Sequence, residues 1–285
     1  MIPVNEPLLN GKERDFLIEC IDTGWIGSDG PFVKRFEEQM AAYVGRKYAV
    51  AVTNGTAALE LAVAALNIGP GDEIILPAFT IISCAQAVVK TGAMPVLVDS
   101  HYDTFNMKVE DIEEKITPKT KAIMVVHIYG LPVDMDPVLE LSKKYNLEVI
   151  EDAAEMNGQT YKGKRCGSFG DISIFSFYPN KHITTGEGGM ILMDDENLYK
   201  RCKSLRNLCF SDDPKKRFIH EEIGWNLRMT NIQAALGVAQ LERMDEIIQK
   251  KRWIGRMYQR LLNDIDVINL PVDKTDYWEK YQVIK

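Results

Sequence analysis

The chain is poor in the residues that build metal centres and disulfide frameworks. Its 285 residues include four histidines, none at metal-ligand spacing from a cysteine or another histidine. A zinc site is therefore not expected. The five cysteines, Cys20, Cys84, Cys166, Cys202 and Cys209, are odd in number and form no CxxC pair. That pattern fits reduced thiols in a cytoplasmic protein rather than a bridged secreted scaffold. Excess positive charge is missing too. The formal net charge is −7, which argues against nucleic acid as a partner. No uncharged apolar run reaches the roughly 18 residues expected of a membrane-crossing helix. The start, MIPVNEPLLNGKERDF, lacks a basic stretch followed by an apolar one, so no secretory signal is expected. Internal repeats and low-complexity tracts are absent as well.

What is present is a regular alternation of short apolar runs and amphipathic segments. Residues 31–44, PFVKRFEEQMAAYV, place Phe32, Phe36, Met40 and Tyr43 on one helical face. Pro31 opens that segment and Gly45 closes it, as helix start and stop signals should. Strands are predicted at 47–52, 73–77, 94–99, 121–128, 147–152, 171–177 and 189–193. Helices are predicted at 56–68, 80–91 and 136–146. The pattern turns helical again after about residue 195, and 229–262 reads as one long amphipathic helix with a break at Gly255. The strand runs are apolar along their whole length instead of alternating. Such strands are buried on both faces, as in a mostly parallel sheet covered by helices. The expected architecture is α/β: a large seven-stranded domain over residues 1–240 and a small C-terminal α/β domain beginning in 241–285. The last residues, YWEKYQVIK, read as the start of a strand, so the small domain is expected to be incomplete.

Open α/β sheets bind ligands beyond the carboxyl ends of their strands. After 47–52 comes Asn54-Gly55-Thr56, a turn into the next helix. Free backbone N–H groups there, a glycine that allows close approach and a threonine hydroxyl suit a phosphate. A plain helix cap would use the same residue types. Asp152 ends the 147–152 run, where burial demands a cationic or hydrogen-bonding partner. It could pair with a protonated ring nitrogen or cap the next helix. Ser176 follows 171–175 and offers another hydroxyl. Lys181 comes next in FSFYPNKHITTGEGGM, between that strand and a glycine-rich turn. A lysine held there away from bulk water could act as a nucleophilic amine. A phosphate cradle, an acid for a ring nitrogen and an amine for an aldehyde are together the needs of pyridoxal 5′-phosphate.

The stretch EDAAEMNGQTYKGKRCGSFGDISIFSFYPNKHITTGEGGMIL resembles the signature of the DegT/DnrJ/EryC1/StrS family, fold-type-I pyridoxal-phosphate sugar aminotransferases. TNGTAALELAV, GDEIILPAFT, GAMPVLVD, VVHIYG and GWNLRMTNIQAALGVAQL are similar to the family's pattern as well. FYPNKHITTGEGGM and HIYGLPVDMDP are most similar to the branch that aminates C4 of GDP-4-keto-6-deoxymannose. The resemblance implies that Lys181 bonds the cofactor's aldehyde and shuttles the proton. It implies that Asp152 pairs with the pyridine nitrogen and that Gly55, Thr56 and Ser176 hold the phosphate. It sets Glu155 beside the cofactor face and sends Asn226 to the phosphate of the other subunit's cofactor. A nucleotide-linked keto sugar, L-glutamate and a homodimer with sites at its interface are the implied partners. Ile81 stands where relatives often carry an aromatic residue stacked on the ring, with Phe79 nearby. A dehydratase branch carries histidine in place of the lysine, so Lys181 followed by His182 points to amination. The glycine-rich GWIGSDGP, residues 24–31, is read as a loop near the site entrance, and His127 as a strand-end histidine satisfied in the core or near the pocket. Alternatives on the same fold are amination at C3, a UDP- or dTDP-linked sugar, a dehydratase, and a non-catalytic regulator.

Overall fold

A computed structural model describes residues 5–278 apart from 212, 214, 221 and 273. The strand expected to begin in the final segment falls largely on 279–285, outside the described residues. Nine strands and eight α-helices alternate in the described part. The strands are β1 (Tyr48–Val52), β2 (Glu73–Pro77), β3 (Met94–Val98), β4 (Thr120–Val126), β5 (Glu148–Asp152), β6 (Thr160–Tyr161), β7 (Lys164–Arg165), β8 (Ile172–Ser176) and β9 (Gly189–Met193). The helices are α1 (Glu13–Thr23), α2 (Pro31–Val44), α3 (Gly55–Ala65), α4 (Ile82–Lys90), α5 (Met135–Tyr145), α6 (Glu196–Arg206), α7 (Asn231–Leu241) and α8 (Met244–Leu262). Among the described residues, no helix is long and apolar enough to cross a membrane.

Seven strands form one sheet in the order β1-β9-β8-β5-β4-β2-β3, and β6 pairs with β7 in a separate hairpin. Within the large sheet only β9 is reversed, antiparallel to both β1 and β8. The remaining neighbours pair in parallel. The expected mostly parallel, helix-covered sheet is thus the observed one. One face packs against a cluster that includes Phe36, Met40, Val44, Val138 and Ile248. The other packs against Leu59, Leu61, Val63, Val88 and Cys202 from α3, α4 and α6. Burial on both faces explains why the strands are apolar throughout.

Local signals set the helix ends. Pro31 opens α2, and Gly45 closes it in the left-handed region with φ 89°. Thr230 and Gln233 form a reciprocal capping box on α7. The long C-terminal helix departs from expectation. It breaks at Glu242-Arg243, not at Gly255, which lies buried inside α8. At the break Glu242 bridges Lys12 and Arg35, while Arg243 pairs with Glu246 and bonds Asn10. Tertiary ion pairs hold Glu242, and a hydrogen bond to Asn10 holds Arg243, where the run ends. Upstream of the break α7 is buried on most sides against α1 and α2; downstream α8 is amphipathic. Helix α1, unforeseen because its N-cap residue Lys12 makes no side-chain cap, is anchored by buried Glu13, which accepts from Gln240 Nε2 at 2.5 Å.

Asn231, fully buried at the start of α7, joins α2 to the 24–31 loop. Its Oδ1 accepts from Phe32 N at 2.8 Å, and its Nδ2 donates to Trp25 O at 2.6 Å. A Cβ on Gly30 would lie 2.2 Å from Asn231 Cγ, so glycine is needed there for the two to approach. Asn231→Ala strands a buried donor and acceptor and should cost about 1–3 kcal/mol. Urea unfolding of the variant should show a lower midpoint at an unchanged slope.

Candidate active site

Because β9 alone is reversed, the carboxyl ends of β1, β2, β4, β5 and β8 share one edge with the first residue of β9. Gly189 stands opposite Val52 on one side and Ser176 on the other. A Cβ on Gly189 would meet Asn54 O at 2.4 Å, so the turn after β1 passes directly over this glycine. Asn54 then caps α3, its Oδ1 accepting from Ala57 N at 2.8 Å. The cap and the phosphate reading coexist: the side chain caps, while Gly55 and Thr56 line a cavity of about 640 Å³ with Ser83, Ser176 and Lys181. A Cβ on Gly55 would sit 2.8 Å from Ser176 Cβ, which would narrow this cradle.

Lys181 sits in the loop that joins β8 to β9. Buried Phe177 and Ile183 root that loop. Thr184 Oγ1 donates to Phe177 O at 2.9 Å, and Phe177 N to Gly188 O at 2.9 Å. Asn5 Nδ2 braces it from outside at Pro179 O, 2.9 Å away. The Lys181 amine pairs with Glu155 Oε1 at 3.1 Å, both side chains about a fifth exposed or less (17% and 21%). Tyr129 N donates to Glu155 Oε2 at 2.9 Å. Tyr129 itself adopts φ 53°, a costly conformation for a bulky residue.

Asp152 is buried at the end of β5. Its Oδ1 accepts from Ala154 N at 3.0 Å and its Oδ2 from Cys84 Sγ at 3.3 Å. Burial pushes the carboxyl above the usual aspartate range; the Ala154 N–H, the Cys84 thiol and the Lys181 charge oppose that. A second cavity of about 270 Å³ is walled by Phe79, Tyr129, His127 and Glu155. Ile81, Asp152, Ala154 and Lys181 line both cavities, so the acid and the amine lie where the two meet.

The structure therefore brings together Gly55, Thr56, Asp152, Glu155, Ser176 and Lys181. Asn226 stays outside both cavities; it is exposed and bridged through its backbone to Asn207. Although His127 borders the second cavity, its imidazole is fully buried and engaged in the core. Its Nδ1 accepts from Val133 N at 3.0 Å, which leaves Nε2–H to donate to Glu151 Oε1 at 3.0 Å. The 24–31 loop lines neither cavity of this chain. Sequence reasoning did not single out Ser83 or Cys84, in the first turn of α4. Ser83 Oγ lies 2.9 Å from Thr56 Oγ1. Both come after β2, so reading every strand's carboxyl end would have found them. The donor set fits pyridoxal phosphate: three hydroxyls and a helix N-terminus for the phosphate, a buried acid, and a lysine amine between the two cavities.

The sequence pattern of the DegT/DnrJ/EryC1/StrS aminotransferase family matches residues 7–284. The chain is 47% identical over 283 residues to GDP-perosamine synthase of Escherichia coli O157:H7, covering 99% of this chain and 77% of that protein. It is 52% identical over 261 residues to the GDP-perosamine synthase of Caulobacter vibrioides, covering 91% and 70%. A solved PLP-form of a putative sugar aminotransferase from Streptococcus pneumoniae superposes with a TM-score of 0.89 at 30% identity, covering 99% of this chain and 76% of that one.

Gly55→Ala should weaken pyridoxal phosphate binding about tenfold, equivalent to about 1.4 kcal/mol, because the new methyl crowds Ser176. The same 2.8 Å contact must be relieved in the cofactor-free protein, so the unfolding temperature without cofactor should fall by a few degrees as well. Equilibrium cofactor titration with parallel thermal unfolding checks both.

Proposed function

The chain belongs to the DegT/DnrJ/EryC1/StrS family of pyridoxal-phosphate-dependent sugar aminotransferases, and on that premise we propose that it moves the amino group of L-glutamate to C4 of GDP-4-keto-6-deoxymannose, giving GDP-perosamine. The observation that carries this reading is the meeting of Lys181, Asp152 and the Gly55-Thr56-Ser176 cradle at one edge of the sheet. The GDP-linked substrate is supported by the similarity to the two perosamine synthases over most of their length.

Each residue has a part. Gly55, Thr56 and Ser176 hold the phosphate, aided by the positive end of α3. Asp152 would face the pyridine nitrogen and favour its protonated form. Lys181 would hold the cofactor's aldehyde end through its amine and, when freed by the donor amine, would serve as the base that moves the substrate's α-proton. Glu155 fixes the amine's position before the cofactor binds, with Tyr129 N–H holding its other oxygen. Ile81 and Ala154 line the wall where the ring would lie. The bound cofactor supplies the electron sink that makes the α-proton labile.

A homodimer belongs to the same reading. Ile81 and Ile82 are 64% and 73% exposed, and Ile223 and Trp225 beside Asn226 are exposed as well. Apolar surface of this kind is usually covered by a partner, and Asn226 would then reach the partner's phosphate. Light scattering giving a monomer's mass for the active protein would refute the shared site. The same reading takes residues 1–240 as the large domain and 241 as the start of the small one. Five free, buried cysteines support a reducing, cytoplasmic setting.

With L-glutamate and GDP-4-keto-6-deoxymannose, the enzyme should release 2-oxoglutarate and a GDP-linked 4-amino sugar in equal amounts. UDP- and dTDP-linked keto sugars should react at least about tenfold more slowly, a discrimination of about 1.4 kcal/mol. Lys181→Ala should retain cofactor but lose turnover by several orders of magnitude. Equal use of the other nucleotides would overturn the substrate, and turnover by the variant would overturn the role of Lys181.

A further inference from the structure

The first turn of α4 touches the site at two separate points. Ser83 Oγ contacts Thr56 Oγ1 in the phosphate cradle, and Cys84 Sγ contacts Asp152 Oδ2. Cys84 is fully buried, as is nearly all of Asp152. Its sulfur also lies 3.3 Å from Thr80 Oγ1, one turn earlier. A carboxylate offers acceptors only, so in the Cys84–Asp152 contact the thiol must donate. Thr80 can then donate its hydroxyl proton to the sulfur, giving a directed chain from Thr80 through Cys84 to Asp152.

We propose that Cys84 is a positioning residue for the transamination site, its S–H fixing Asp152 Oδ2 so that the carboxylate stays oriented toward the cofactor's ring nitrogen. The proposal rests on the reading of Asp152 as that nitrogen's partner. Asp152 Oδ1 is committed to Ala154 N–H, which sets one oxygen. Rotation about the remaining side-chain bond is free unless the second oxygen is held, and the thiol is the side-chain donor that holds it. The thiol stays protonated, because burial and the neighbouring carboxylate both push its ionisation up. A weak donor suits this position. It orients the carboxylate yet leaves it basic enough to hold a second, charged N–H. The other charged groups facing Asp152 are Lys181, which favours its ionised form, and Glu155, which opposes it.

The test uses the full chain loaded with pyridoxal phosphate and reads two quantities other than turnover. One is the cofactor dissociation constant. The other is the midpoint pH of the visible absorbance band of the lysine-bound cofactor. Cys84→Ala should weaken cofactor binding about fivefold, the worth of one modest hydrogen bond, and move the midpoint upward. Cys84→Ser keeps a donor and should restore both values most of the way. A Cys84→Ala protein with the parent's affinity and midpoint, or a serine variant no better than alanine, would show that the thiol only fills space. Asp152→Asn is measured alongside. If it moves the midpoint strongly and Cys84→Ala does not, the thiol proposal alone fails. If Asp152→Asn leaves the midpoint unmoved, the ring-nitrogen assignment fails with it.

Discussion

A carboxylate that must stay charged in a dry place is the constraint on which the rest of this site depends. Asp152 ends a strand whose last four residues are buried, between two helix layers. Left alone there it would take up a proton, since desolvation penalises the charged form. The surrounding structure opposes that with a backbone N–H from Ala154, a thiol from Cys84 and the positive charge of Lys181. Those three contributors come from three elements: the turn after β5, the first turn of α4 and the β8–β9 loop. Packing the sheet and building the site are therefore one process.

Lys181 poses the complementary problem. A cation beside a buried acid must be held without being neutralised by it. Glu155, fixed by Tyr129 N–H, takes the amine at 3.1 Å and keeps it at the junction of the two cavities. The unusual backbone of Tyr129 is what aims its N–H at the carboxylate. Strain at this turn is thus linked to the position of the reactive amine, a common place for proteins to keep such strain. The loop carrying Lys181 is rigid for its own reasons: its threonines close it internally, and Asn5 clips Pro179 to Lys251 on α8. The C-terminal helix is in this way connected to the lysine loop by a chain of two side-chain bonds.

Much of this was legible in the sequence. Whole-strand apolarity gave the parallel sheet, because burial on both faces leaves no polar alternation. Residues just past the strand ends gave Gly55, Thr56, Asp152, Ser176 and Lys181, because strand direction alone places them on one edge. The reversal of β9 was not readable from GMILM, yet it puts Gly189 between β1 and β8. The break at Glu242-Arg243 was missed because it is set by ion pairs to Lys12 and Arg35, more than two hundred residues away in the chain. Glu155 was expected near the cofactor face, but its contact with Lys181 depends on the left-handed turn at Tyr129, which no local pattern announces. Cys84 counted only as one of five reduced thiols, because its contact with Asp152 spans 68 positions.

The central claim is that the Lys181 amine is the group that bonds the cofactor's aldehyde. Borohydride reduction of the loaded protein, followed by peptide mass mapping, tests it most directly. The account predicts one phosphopyridoxyl group on the peptide that carries Lys181, with loss of the visible absorbance band. A reduced adduct on another lysine, or a band that persists with Lys181 unmodified, would contradict it.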